Sequence, residues 1–206
     1  DCDRYMEIWN NVFSQFNNDG NGNYTELASK NIDTGMGLER LACVMQDVDS
    51  MFEVDTIKNI ITAISEKAGI KYHDDPKADI SLRIIADHSR ASAFLIADGV
   101  MPSNEGRGYV LRRLLRRACR HGKLLGIKGA FLADIIKVVA HENLSAYPEL
   151  TEKFDYISKI ASMEEERFDA NVEAGMNLLD ALTEKANASG AKTLDGADVF
   201  KLSDTY

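Results

Sequence analysis

Six cationic side chains on one helical face, behind a short Ser-, Asn- and Gly-containing loop, are the residues best equipped for chemistry in this chain. The stretch GVMPSNEGRGYVLRRLLRRACRHGKLLG runs from Gly99 to Gly126. Advancing about 100° per residue from Arg112, the side chains of Arg113, Arg116, Arg117, Arg120 and Lys123 fall within an arc of about 140°, with Tyr109 among them. Leu111, Leu114, Leu115, Ala118, Cys119 and Leu125 take the opposite side, and no acid interrupts from Arg107 to Lys123. Arginine outnumbers lysine five to one on the basic face. The planar guanidinium fork suits bidentate contact with phosphate oxygens. The spacing therefore predicts a solvent-open ridge of guanidiniums beside Asn104, shaped to meet a polyanion. The ordinary alternative is a solvated basic face paired with acids from elsewhere in the chain.

Charge segregation sharpens the point. The 206 residues carry a formal net charge of −9. Between Leu82 and Leu125, nine Lys and Arg stand against three acids, a local balance of +6. A single basic surface on an acidic protein points to one polyanionic partner, with the acidic remainder repelling misplaced contacts.

Other candidate residues carry less. His88 falls among the apolar positions of its helix and reads as a core histidine holding a hydrogen bond. His121 sits at the edge of the arginine face, suited either to phosphate or to a plain surface role. His73 and His141 have no partners at ligand spacing, and HDDPKAD is a polar loop. Three cysteines, Cys2, Cys43 and Cys119, form no CxxC pair, which fits neither a disulfide framework nor a zinc site and predicts packing roles in a reducing, cytoplasmic setting. No apolar run approaches the roughly 18 residues of a membrane span. The N-terminus DCDRYMEIWN lacks a signal-peptide pattern and an initiator Met and opens on a strand, so the chain reads as an excised domain or fragment.

The elements that must position these residues are mostly helices. Residues 5–17, rich in aromatic and β-branched side chains, predict a strand, NNDGNGN a hairpin turn, and a second strand reaches Ile32. A Gly-bearing connection, DTGMG, runs into a helix from about Leu38. From Glu53 the apolar spacing of three and four predicts a helix ending at Gly69. Helices follow over 79–98, 108–125 and about 129–143. A long helix over 151–187 carries one apolar stripe through Phe154, Ile157, Ala161, Phe168, Val172, Met176, Leu179 and Leu182. A short amphipathic element, LDGADVFKLSDTY, closes the chain. The expected fold class is mainly α, a helical bundle with a small N-terminal antiparallel β portion.

Two long motifs, NIDTGMGLERLACVMQ and RIIADHSRASAFLIADGVMPSNEGRGYVLRRLLRRACRHGKLLG, closely resemble bacterial alanyl-tRNA synthetases, a class II family, and the likeness extends from CDRYMEIWN to LSDTY. The resemblance implies that residues 1–50 are the C-terminal part of a class II catalytic core containing its third signature motif. Residues 51–206 would be a helical domain recognising the tRNA acceptor stem. In that motif, Gly35-Met36-Gly37-Leu38-Glu39-Arg40 here, Gly35 and Gly37 would let ATP approach the backbone and Arg40 would stabilise its phosphate charge. Asp33 would pair with the α-ammonium of alanine; without the family it reads equally well as a cap or turn residue. Glu7, Asn10 and Val12 lie on the strand flooring the family's pocket. Alternation puts Asn10 and Val12 on one face and Glu7, a candidate for ATP or magnesium, on the other.

The resemblance also implies what these residues recognise. The family identifies its tRNA by a G·U wobble pair in the acceptor stem, whose unpaired guanine 2-amino group projects into the wide, shallow minor groove of A-form RNA. Asn104 and Asp204 match the family's reading positions and offer that amine an amide oxygen and a carboxylate; read alone, they are an Asx-turn residue and a cap. Arg107, Arg112, Arg113, Arg116, Arg117, Arg120 and Lys123 would hold phosphates, the usual division between positioning and specifying contacts. The full enzyme would take ATP, Mg2+, alanine and tRNA(Ala). The first two class II motifs and the editing domain's zinc-type pattern are missing from these 206 residues. The expectation is therefore a monomeric piece without zinc or membrane attachment, unable to aminoacylate alone. The competing expectation is a helical protein-interaction module that docks an acidic partner through its basic face.

Overall fold

A computed structural model describes the backbone of residues 5–205 and the side chains of residues 5–202. Cys2 and Tyr206 fall outside this range, and Asp204 is described only as a backbone position. The fold is mainly α with a two-stranded antiparallel sheet at its N-terminus, as the periodicities predict. The chain divides into two compact units, residues 1–58 and 59–206.

In the first unit, β1 (Trp9–Asn18) pairs with β2 (Tyr24–Met36), which runs past the expected Ile32. The turn is fastened by Asp19. Its carboxylate accepts the amides of Asn21 (2.7 Å) and Asn23 (3.2 Å) and the Asn23 side chain (2.8 Å). These hydrogen bonds, led by the Asn23 side chain, hold the Asp19 carboxyl below its ordinary value. Regular pairing slips between Ser14 and Phe16. Helix α1 (Leu38–Met45) follows after Gly37, whose amide extends the ladder by donating to the Ile8 carbonyl at 3.0 Å. Little of this hairpin is covered within its unit: Trp9, Val12, Phe13, Phe16, Tyr24 and Ile32 are all more than half exposed.

The rest of the chain is helical: α2 (Asp55–Ala68), α3 (Pro76–Ala97), α4 (Gly106–Leu124), α5 (Leu132–Glu142), the single turn α6 (Glu149–Glu152), α7 (Phe154–Ala188) and α8 (Gly196–Thr205). Three residues assigned to the preceding polar linker belong to α3, because Pro76 occupies its first turn and the Asp75 side chain caps it by accepting from the Lys77 amide at 3.0 Å. The predicted 151–187 helix is interrupted at Lys153, which ends α6 and precedes α7. Its ammonium donates to the Ala97 carbonyl at 2.9 Å, placing a cation at the C-terminus of α3.

The second unit's core gathers one face from each helix. Ile60, Ile61 and Ile64 of α2, Leu82, Ile85 and Ile96 of α3, Leu111 and Leu115 of α4, and Leu132, Ile135 and Ile136 of α5 are essentially buried. The first half of α7 joins them through Ile157 and Ala161, whereas farther along the predicted stripe Met176 is half exposed. Cys43 and Cys119 are free and buried, packing as small apolar groups.

Two contacts fix how α4, α5 and α7 meet. Gly122 lies so close to the Phe131 ring that a Cβ there would stand 2.3 Å from a ring carbon. Buried Glu165 of α7 accepts the Phe131 and Leu132 amides at 3.0 and 3.3 Å, capping α5 from another helix. Burial outweighs those bonds and pushes the Glu165 carboxyl above its ordinary value.

Gly122→Ala is expected to destabilise the chain by about 1–3 kcal/mol in denaturant unfolding, because the buried ring has nowhere to retreat. Unchanged stability would contradict the close approach. Glu165 sets a pH dependence. Its raised value means the folded chain holds this proton more tightly than the unfolded chain does. The associated stability is complete below the unfolded value of 4.5 and is lost as pH rises through the folded one. The neutral variant Glu165→Gln should therefore gain in Tm relative to wild type as pH rises above the unfolded value of 4.5. A difference that stays constant with pH would contradict this account.

Candidate nucleic-acid interface

The basic face of α4 divides in two, because α7 runs along one side of it. Glu164, 2% exposed, places one carboxylate oxygen 2.9 Å from Arg112 Nε and 2.7 Å from Arg116 Nε. Lys123 pairs with Asp169 of the same helix at 2.9 Å. Arg116 also lies over the Phe168 ring, its guanidinium carbon 5.8 Å from the centroid. The expected open ridge of six cations is therefore corrected. Arg112, Arg116 and Lys123 face acids of α7, while Arg113, Arg117 and Arg120 point outward, with Arg107 exposed at the helix start. No described carboxylate stands within ion-pair distance of these four, and Arg113 stacks over Tyr109 at 5.7 Å. Screening by α7 thus removes part of the basic face and leaves a narrower row of free guanidiniums.

That row borders a cleft of about 410 Å³ lined by His88, Val110, Arg113, Leu114, Arg116, Arg117, Arg120 and Phe168, with elements of α3, α4 and α7 contributing. His88 is mostly covered and bonds Asp87 at 2.8 Å, in keeping with a histidine satisfied at the edge of the core. That hydrogen bond is the main cause holding the Asp87 carboxyl below its ordinary value. His121 bonds the Ser81 hydroxyl at 2.9 Å. Burial, together with Arg117 and Arg120 nearby, lowers its basicity, which favours the neutral ring over a phosphate-holding cation.

The loop before α4 is tied back on itself by hydrogen bonds. The Ser103 amide donates to the Gly108 carbonyl at 3.1 Å and its hydroxyl donates to the Glu105 carbonyl at 2.9 Å. Only glycine fits at position 108, since a Cβ would lie 2.3 Å from the Met101 carbonyl oxygen. Asn104 sits exposed at the tip of this loop, and its amide oxygen accepts from Arg112 Nη1. Asp204 belongs to α8, and its side chain lies outside the described residues.

The N-terminal candidates assemble in the first unit. The register pairs Asn10 with Gly35 and Val12 with Asp33. Directly paired residues share a face of an antiparallel sheet, so Asn10, Val12, Asp33 and Gly35 form one surface, all exposed. Open space surrounds Gly35, whereas Arg40 packs across Gly37, its Cδ 3.2 Å from where a Cβ would stand. Arg40 Nη1 donates to the Glu7 carbonyl at 2.7 Å, and the Glu7 carboxylate accepts weakly from Asn10 Nδ2 at 3.4 Å. Among the described residues, no group of three or more His, Cys, Asp or Glu side chains is placed to hold a metal ion. No described helix is long and apolar enough to cross a membrane.

The residues that sequence reasoning missed are Glu164 and Asp169. A signal existed: Glu164 falls between Ala161 and Phe168 on the apolar stripe of the long helix, and a carboxylate within a stripe implies a cationic partner.

All 206 residues match the sequence family described as tRNA synthetases class II (A). The alanine–tRNA ligase 1 of Lachnoclostridium phytofermentans is 57% identical over the whole chain, which spans 23% of that protein. The alanine–tRNA ligases of Clostridioides difficile and Natranaerobius thermophilus are 57% and 55% identical over the whole chain, covering 23% and 24% of their lengths. The chain thus spans about a quarter of the curated relatives it matches. With its strand-to-helix hairpin and its helical unit both inside that match, the chain belongs to the class II (A) tRNA synthetases.

Proposed function

We propose that this chain is part of an alanine–tRNA ligase: residues 1–50 complete the alanine and ATP site, and residues 51–206 recognise the acceptor stem of tRNA(Ala), including its G·U pair. The supporting observation is the outward row of Arg107, Arg113, Arg117 and Arg120 on the helix that follows the Asn104 loop, none of them within salt-bridge distance of a described carboxylate, although Arg117 lies near enough to Asp87 to help hold that carboxyl low. Free guanidiniums attract phosphate along a duplex without regard to sequence, and an exposed amide on a hydrogen-bonded loop supplies sequence discrimination. Asn104 accepts from the guanine 2-amino group in the minor groove, and Asp204 offers a second acceptor. The inner cations Arg112 and Arg116, which share Glu164, contribute less to phosphate attraction, and Lys123 is tempered only by a surface pair with Asp169.

In the first unit, Asp33 binds the α-ammonium of alanine on the face it shares with Asn10 and Val12. Gly35, with nothing crowding its backbone, fits the approach of a nucleotide, and the exposed Arg40 guanidinium fits its phosphates, with Gly37 giving Arg40 room. The Glu7 carboxylate is the candidate here for the Mg2+ that accompanies ATP, whose other ligands would come from the nucleotide and from other parts of the enzyme. ATP supplies the activating phosphate; these residues hold and orient.

Two measurements test this reading. Wild-type chain should bind a G·U acceptor-stem hairpin about tenfold more tightly than its G·C counterpart, and Asn104→Ala should bring the two together. With four free cations, the log–log salt slope should be about −3, and Arg117→Ala should weaken both hairpins alike and flatten the slope by about 1. Equal affinities in all four combinations would leave only charge, as the protein-docking alternative requires. The purified chain should also show no ATP–pyrophosphate exchange above background, because the faces bearing Asp33 and Arg40 are open to water. Detectable exchange would overturn that expectation.

A further inference from the structure

We infer that Arg112 is a positioning residue for base reading: anchored by the buried Glu164 carboxylate, it fixes which atoms of the Asn104 amide face a bound base pair. The inference rests on the reading role proposed above for Asn104. The contacts run in one line from the core to the loop tip. Glu164 is 2% exposed and accepts from Arg112 Nε at 2.9 Å. From the far end of the same guanidinium, Nη1 donates to the Asn104 amide oxygen. Glu164 is itself held by Arg116 Nε at 2.7 Å, so it cannot follow Arg112 outward.

The chemistry of the partners dictates the orientation. Arginine offers five N–H donors and no acceptor, so the atom of Asn104 turned toward it must be the oxygen. An asparagine on an exposed loop would otherwise turn about its last torsion and present oxygen or NH2 in either sense. Guanine's 2-amino group is a donor, and meeting an amide NH2 would set donor against donor. The amide oxygen has two lone pairs. Arg112 takes one, which leaves the other for the amine on the solvent side.

Lysine cannot substitute, because a single ammonium cannot keep one nitrogen on Glu164 and another on Asn104 with the guanidinium's fixed geometry. The loop backbone, pinned by Ser103 to Gly108 and Glu105, carries the side chain but does not choose its flip. Arg112 thus differs in kind from its neighbours on α4. The outer arginines set how tightly a duplex is held. Arg112 sets which duplex is held, and it shares the single Glu164 carboxylate with Arg116.

The test uses the full 206-residue chain and the G·U and G·C hairpins, with Arg112→Lys, Asn104→Ala and the double variant. Arg112→Lys should lower the ratio of G·U to G·C affinity at least about fivefold while leaving the salt slope unchanged, and it should have no further effect on the ratio when Asn104 is already Ala. Glu164→Asp, which draws the anchor back by one methylene and keeps its charge, should lower the ratio in the same way and answers the question if Arg112→Lys does not fold. Loss of affinity for both hairpins with the ratio intact would make Arg112 an ordinary phosphate contact and overturn the inference. A raised ratio would mean that Arg112 withholds the amide, and would overturn it too. If Asn104→Ala leaves the wild-type ratio unchanged, the base-reading role itself fails, which is a separate result from an Arg112 variant that behaves like wild type while Asn104→Ala does not.

Discussion

The arrangement of the helical unit depends on one carboxylate placed where water cannot reach it. An ionised Glu buried without partners is costly, and losing either partner of a buried pair leaves an uncompensated charge. Glu164 meets this constraint by drawing Arg112 and Arg116 inward from successive turns of α4. That fixes the rotation of α4 about its axis against α7, and with it which arginines remain outside. Arg113, Arg117 and Arg120 are the complement of the pair that Glu164 selects. One buried acid therefore sorts a uniformly basic helix face into an inner side and an outward-facing side. Farther along, Asp169 pairs with Lys123 in a more exposed contact.

The first unit is under a different constraint. A two-stranded ribbon with aromatic and aliphatic groups exposed on it is marginal by itself, since independent stability ordinarily needs more strands or a packed face. The register brings Asn10, Val12, Asp33 and Gly35 to one surface, and the glycine at the strand-to-helix corner lets Arg40 fold back onto the Glu7 carbonyl. These are local consequences of pairing and turn chemistry.

Much of this was legible from residue order, and the reasons for the gaps are physical. Periodicity located the helices because their cores are built from single faces, and Leu111, Leu115, Ala118 and Cys119 are buried as the α4 wheel requires. The hairpin followed from alternating β-formers around NNDGNGN, although β2 runs to Met36 because pairing with Trp9 outlasts the apolar signal. The wheel could not show which basic residues face solvent, because that depends on a carboxylate 52 residues from Arg112 along the chain. Nor could it show the Arg112–Asn104 bond, since Asn104 lies outside the helix. The break at Lys153 was hidden because one non-helical residue barely disturbs an apolar stripe.

The central claim is that Glu164 divides α4 into an inner structural pair and an outer row that meets RNA. It is tested most directly by following the arginine Nε–H NMR signals as an acceptor-stem hairpin is added. The signals of Arg107, Arg113, Arg117 and Arg120 should shift progressively to saturation, while those of Arg112 and Arg116, held on Glu164, stay nearly in place. Shifts concentrated on Arg116, or spread evenly over all six, would contradict that division.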